Sequence, residues 1–368
     1  MVTSQSPTGV RFASLRPAVN LTQLGLLEDG LTHNLAILRR PAAGEYLMMG
    51  GLQTFESNAT CRQHVAHNSV LRATLLAQGV TPKQHCLSMD NSGLSGIRLM
   101  RGRSWPWDRD NWTEPRVVIT GTDPPGCVDK RPDFTGWPML TACEFDGRLS
   151  LVEHQGRFRL FARANLQFGQ VVGGRFVQTT HSAVASDMAR GSWARWQPIR
   201  ILGVSPGRVD VYFFAVQSNP VESGSLVAIY PVNAPPRACV CLSFSLDGVT
   251  WSSPVNLHDS YSAFRTASRG ASGRLEFRSA DHPAAGIVHA PQDPSTLHIY
   301  IHHSVKGTTM KRRRVPYATL REMIINKRAD SRIDGTPHVR LYRLSDVELL
   351  NMTRRAHDEL RSAGSPPA

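Results

Sequence analysis

Residues 145–201 carry the clearest alternation of apolar and polar positions along the chain. They read F-D-G-R-L-S-L-V-E-H-Q-G-R-F-R-L-F-A-R-A-N-L, later G-G-R-F-V-Q-T-T-H-S, then S-D-M-A-R-G-S-W-A-R-W-Q-P-I-R-I. A period of two puts every second side chain on one face, which predicts half-buried strands. Gln155-Gly156, between two such runs, is a two-residue hairpin signal. The expected product is a four-stranded antiparallel unit of about fifty residues.

The pattern recurs along the chain. Asp210 sits in V-D-V-Y-F-F-A-V, which is followed by S-L-V-A-I-Y-P-V and C-V-C-L-S-F-S-L-D-G-V-T-W-S-S-P. Asp281 opens D-H-P-A-A-G-I-V-H-A, followed by L-H-I-Y-I-H-H. Near the start, His33 and Asn34 open N-L-A-I-L-R-R, then come E-Y-L-M-M-G-G and G-I-R-L-M-R-G-R-S-W-P-W. Asp and Asn before strands also serve turns in any all-β chain. The shared order of parts, at intervals of roughly 50–110 residues, favours radial repetition. The expected fold class is therefore all-β, a β-propeller with a few flanking helices. The domains read as a partly disordered leader over 1–30, a propeller over 31–316 and a helical, basic extension over 317–368.

Two capped helices flank the strands. Residues 68–78 end at Gly79 with Pro82 beyond. Ser345 and Glu348 form a capping box, with Leu344 and Leu349 as its hydrophobic staple. Val347, Leu350, Ala356 and Leu360 are the expected docking positions, and the chain should fray from Ser362. A weaker helical stretch covers 317–327.

Composition changes this picture little. At 368 residues with 41% hydrophobic content, the chain can bury a sizeable core. No run reaches the roughly 18 apolar residues of a membrane helix, and the N-terminus shows no clear signal peptide. Cytoplasmic or organellar residence is the expectation, although sequons at Asn20, Asn58, Asn111 and Asn351 leave the compartment open. Cys239 and Cys241 fall on one strand face and read as small core thiols. Of the net charge of +13, residues 301–368 supply +7, from 14 Lys/Arg against 7 Asp/Glu. The run Lys311-Arg312-Arg313-Arg314 reads as a charged edge or turn. It lacks the interleaved aromatics of single-stranded nucleic-acid surfaces, so a nucleic-acid partner is disfavoured. There is neither a phosphate-cradling glycine loop nor a metal-ligand motif such as H-E-x-x-H. No cofactor and no metal are expected, and the oligomeric state stays open.

The segment Ser245 to Trp251, S-L-D-G-V-T-W, resembles the S-x-D-G-x-x-W turn of sialidases and five-bladed glycoside hydrolases. Ser186-Asp187, with Trp193 and Trp196, looks like a degenerate copy. With D-G-R-L-S, G-G-R-F-V-Q and D-H-P, the pattern over about residues 30–310 is similar to arabinanase-, xylosidase- and invertase-type propellers. The resemblance implies five blades and a carbohydrate ligand in a central funnel. It also implies paired carboxylates that could hydrolyse a glycosidic bond. Asn34, beside His33, stands at the first-blade position where the family places an aspartate, and an amide cannot act as base. Asp146 matches the middle-blade aspartate. Glu144 and Glu222 are the candidates for the acid.

The expected site is thus catalytic Asp146, Asp281 and His282, with His33, Asn34, Arg148, Arg163 and Arg175 binding substrate. Arginine forks suit carboxylates and vicinal hydroxyls, and Asp281 with His282 could share acid–base work. The alternative is a non-catalytic propeller that binds a glycan or a protein.

Overall fold

In the computed structural model the longer described stretches are residues 33–51, 69–77, 97–103, 116–119, 149–168, 171–182, 193–206, 209–234, 237–266, 275–279, 281–303 and 338–364, with isolated short pieces elsewhere. The chain is mostly β with few helices. It divides into two compact units, one of residues 1–3, 15–165 and 178–197, the other of 4–14, 166–177 and 198–368, so that the long strands of the 150–181 hairpins are shared out between them. The described strands form four antiparallel sheets of three or more strands, the repeating unit of a β-propeller.

In the first unit, β1 (His33–Arg40), β2 (Glu45–Gly51), β3 (Ile97–Gly102) and β4 (Arg116–Ile119) form a simple meander. Their alternating apolar positions Ala36, Leu47, Met49, Ile97, Leu99 and Ile119 share one core with Leu151, Phe158, Leu160, Trp193 and Trp196. The next sheet holds β5 (Ser150–His154), β6 (Arg157–Phe168) and β7 (Val171–His181). Gln155 and Gly156 both take positive φ, 50° and 68°, as a two-residue hairpin matched to strand twist requires. Helix α1 spans Ser69–Ala77, and Gly79 at φ 68° follows it.

In the second unit, β8 (Ala215–Ser218), β9 (Leu226–Ala234), β10 (Arg237–Ser245), β11 (Val255–Thr266) and β12 (Leu275–Ser279) lie in one sheet, joined by the short strand Asp210–Val211. The last sheet is β13 (His282–Ala290), β14 (Asp293–His303) and β15 (His338–Ser345). Val227, Ile229, Val240, Leu242 and Phe244 from the first of these sheets pack with Ile287, Leu297, Ile299, Ile301 and Leu344 of the second. Each fully buried Leu, Ile or Phe contributes about 1.5–3 kcal/mol.

Among the described residues there are four such sheets, where the resemblance implied five blades. The strand from His338 does not begin a further sheet; it pairs along its whole length with β14, from His303–His338 to Thr296–Ser345.

Helix α2 (Asp346–Gly364) begins at the expected box: the Ser345 N–H donates to Glu348 over 2.8 Å, and the Glu348 N–H donates to the Ser345 hydroxyl over 3.2 Å. Its buried face agrees with expectation at Ala356 and departs from it at Val347, with Leu350 and Leu360 half-buried. Val347 is 66% exposed, whereas Leu349, Thr353, Ala356 and His357 are buried. Those four positions recur at intervals of three and four residues on one face, a stripe that Val347 falls off. Polar contacts pin the same face: Asn219 to the Thr353 hydroxyl at 3.0 Å and Ser253 N–H to Glu359 at 3.0 Å. The helix also continues to Gly364, two residues past Ser362, where fraying was expected. No helix among the described residues is long and apolar enough to cross a membrane.

Cys239 and Cys241 are joined in a disulfide rather than serving as separate thiols. The register shift between Val240 and Cys241 bends the strand there, and the two Cα atoms lie 5.8 Å apart, inside the range a disulfide spans. The leader, beyond the short pairing of Val2–Thr3 with Arg16–Pro17, lies outside the described residues, as do 317–327 and the basic run 311–314.

Candidate functional site

The second unit brings polar side chains together where one of its apolar rows ends. Along β14, Leu297, Ile299 and Ile301 face the core at 0% exposure, and the next position on that face is His303. Period two fixes this: the strand runs out of aliphatic residues but keeps pointing the same way. On β15 the cross-strand partners of that row are Leu344, Tyr342 and Arg340, so Tyr342 lies on the same face. On β13 the last pair is His282–His302, and Asp281 stands one residue before it, level with His303. From the neighbouring sheet, His258 of β11 is paired with Val240, a residue of the same core.

These four side chains converge. The Asp281 carboxylate is 3% exposed as a residue, with Oδ2 3.4 Å from His258 Nε2 and Oδ1 3.2 Å from His303 Nδ1. The outer nitrogens turn toward one phenol: Tyr342 Oη lies 2.9 Å from His303 Nε2 and 3.5 Å from His258 Nδ1. The imidazoles meet edge to face at 4.9 Å. Burial raises the Tyr342 pKa, with Asp281 adding to the rise and Arg340 opposing it, so the phenol is neutral at ordinary pH. One ligand atom each from His258, Asp281 and His303 fall within 4.8 Å of one another, a set able to hold a metal ion.

Beside this cluster, His282 points to the other strand face. Its ring stacks on Phe213 at 4.7 Å and meets Tyr212 edge-on at 5.8 Å. Phe213 interrupts the strand between Val211 and Ala215 with φ 52°, a conformation a bulky residue adopts only when its surroundings impose it. All three rings are half-buried.

The other expected site residues are placed as follows. Arg163 lies on β6 and is half-buried; its backbone carbonyl accepts from the Gln178 amide at 3.4 Å. His33 and Asn34 begin β1, and Arg175 lies on β7. Asp146, Arg148, Glu144 and the Ser186-Asp187 turn lie outside the described residues. Glu222 stands away from Asp281's ion pairs: its carboxylate lies 3.3 Å from His357 of α2 and accepts from Ser225. Sequence reasoning missed His258, His303, Tyr342, Tyr212 and Phe213. For His303 a signal existed in L-H-I-Y-I-H-H, where an aliphatic row ends in a titratable residue.

The Ser245–Trp251 turn is closed by its own side chains. Asp247 Oδ1 accepts from the N–H groups of Val249 and Thr250, both at 2.8 Å, and the Ser245 hydroxyl accepts from the Gly248 N–H at 2.8 Å. Gly248 has φ 72° and Trp251 is fully buried.

No protein-family model and no curated protein matches the chain. Solved structures similar to it include an N-acetylgalactosamine deacetylase from F. plautii, at 14% identity over 91% of this chain and 76% of that one, TM-score 0.39. An exo-1,5-alpha-L-arabinanase from a bovine ruminal metagenomic library matches at 11% identity over 74% and 65%, TM-score 0.34. A family 117 glycoside hydrolase of Zobellia galactanivorans matches at 10% identity over 91% and 92%, TM-score 0.35.

Proposed function

We propose that this chain is a glycoside hydrolase-like propeller protein, of up to five blades, that binds a carbohydrate at the Asp281 end of its last sheet. The observation that carries the reading is the placement of Asp281. It is a buried carboxylate at the end of an aliphatic row, ringed by two imidazoles and a phenol from three different strands. Folding alone gains little from such a group, since burying a charge is costly and an apolar residue could continue the row. On the opposite face of the strand, the His282 ring stacks on Phe213, with Tyr212 edge-on to both.

In the hydrolytic form of this reading, Asp281 serves as one of the two carboxylates that breaking a glycosidic bond needs. His33, Asn34, Arg148, Arg163 and Arg175 would hold sugar hydroxyls or an acidic substituent. Asn34 in the first-blade position favours the second reading, a lectin-like protein that binds without turnover. A panel of aryl glycosides and free oligosaccharides, tested against the purified chain, separates them. Turnover lost in both Asp146→Asn and Asp281→Asn supports the hydrolase. Saturable binding without turnover, weakened by about 100-fold in Asp281→Asn, selects the lectin-like form. Sugar binding or turnover unchanged by Asp281→Asn refutes the site.

A further inference from the structure

We propose that His258, Asp281 and His303 form a binding site for one divalent transition-metal ion of the zinc class. This goes beyond the carbohydrate reading and does not depend on it.

The donor set points to the ion. Two imidazoles and one carboxylate suit zinc and its borderline neighbours, whereas calcium and magnesium require mostly oxygen ligands. The spacing fits as well. Bonds of about 2.0–2.1 Å in a tetrahedron put neighbouring ligand atoms about 3.3 Å apart. His258 Nε2 lies 3.4 Å from Asp281 Oδ2 and His303 Nδ1 3.2 Å from Oδ1, so each carboxylate oxygen faces one imidazole, and one ligand atom from each residue falls within 4.8 Å of the others. His258 and His303 stand on strands of two different sheets, and Asp281 immediately precedes β13, level with His303.

The surroundings are those of a metal centre. A histidine that binds through one nitrogen is oriented by a partner on the other, and such partners typically govern affinity by about 10–100-fold. Here Tyr342 lies 2.9 Å from the outer nitrogen of His303, leaving Nδ1 turned to Asp281. The same hydroxyl sits 3.5 Å from the outer nitrogen of His258. A divalent ion would also supply the positive charge that a buried carboxylate calls for. The aliphatic row Leu297–Ile299–Ile301 continues the His303 face into the core, while the His258 side chain, 25% exposed, leaves an approach from solvent. Three protein ligands with one open side are the arrangement of an ion that also takes a water or a substrate oxygen.

The test uses the full chain, stripped with a chelator and titrated with Zn2+ alone by calorimetry, then loaded with Co2+ alone for visible spectroscopy. The expected result is one ion per chain and Co2+ absorption bands of a low-coordinate nitrogen–oxygen site. His258→Gln should weaken Zn2+ binding by about 100-fold and Tyr342→Phe by about 10-fold. His258 is partly exposed, so its variant should fold even where Asp281→Asn or His303→Ala does not; circular dichroism checks this. A folded chain that takes up no Zn2+ overturns the site. So does a folded His258→Gln variant with unchanged affinity, since the ion then sits elsewhere. Failure of the glycoside panel leaves this titration untouched, and failure of the titration leaves the panel standing.

Discussion

Asp247 and Asp281 lie in the same structural unit and are satisfied in opposite ways. Asp247 is exposed and takes its hydrogen bonds from residues two and three places along the chain. Asp281 is buried, and its ion partners include His258 and His303, each more than twenty residues away. The first aspartate closes a turn, a task that any four or five residues of the right kind can perform. The second needs three strands in register before its partners exist. A carboxylate served by its neighbours is architecture, whereas one served by distant titratable groups is a candidate for chemistry.

The comparison implies that damage to the turn should appear as lost stability alone. Trp251 lies at 0% exposure beneath the turn, edge-on to Phe214 at 5.0 Å. Trp251→Ala should cost about 3–5 kcal/mol in urea unfolding through the cavity it leaves. Carbohydrate or metal affinity of the remaining folded fraction should be unchanged. A loss of ligand affinity larger than the loss of folded protein would break the distinction.

The same contrast explains what was legible in the sequence. The Gln155-Gly156 hairpin, the Ser345–Glu348 box and the Asp247 turn were all readable, because each rests on contacts between residues a few places apart. The alternating rows of β13 and β14 were readable as strands for the same reason. That His258 meets Asp281 was not readable, since it depends on which sheet packs on which and in what register. On α2 the position of Ala356 was readable but that of Val347 was not, because Val347 is as apolar as Leu349 and only the packed sheet decides between them. The disulfide between Cys239 and Cys241 depends on a local shift of register that composition does not announce. Asp281 itself was marked from its position before a strand, but its partners come from elsewhere.

A smaller effect should follow from the turn's own hydrogen bonds. Asp247→Ala removes an acceptor for two backbone N–H groups and for the Ser245 hydroxyl at 3.1 Å. Water can reach the exposed turn and replace part of what is lost, so the expected cost is about 1–2 kcal/mol. Unfolding midpoints measured beside Trp251→Ala should show the smaller shift. A cost as large as that of Trp251→Ala would mean that the turn, not the buried indole, organises this end of the sheet.

The finest test concerns Glu348, a third carboxylate served locally. The Ser345 backbone N–H donates to it, and so does the Ser345 hydroxyl, both at 2.8 Å; together they lower its pKa. A carboxylate whose folded pKa lies below its unfolded value binds fewer protons when folded. Its contribution is therefore fully present above the unfolded pKa, near 4.3 for glutamate, and is lost as pH falls through the lower folded value. Glu348→Gln keeps the side-chain oxygen as an acceptor but removes the charge, so it should flatten this part of the stability curve. The measurement is the urea midpoint of both proteins across pH 2.5–6: the difference should be greatest at the upper end and shrink toward the acid end. A difference that stays constant with pH would assign the cap's worth to hydrogen-bond geometry rather than to the charge placed at the start of α2.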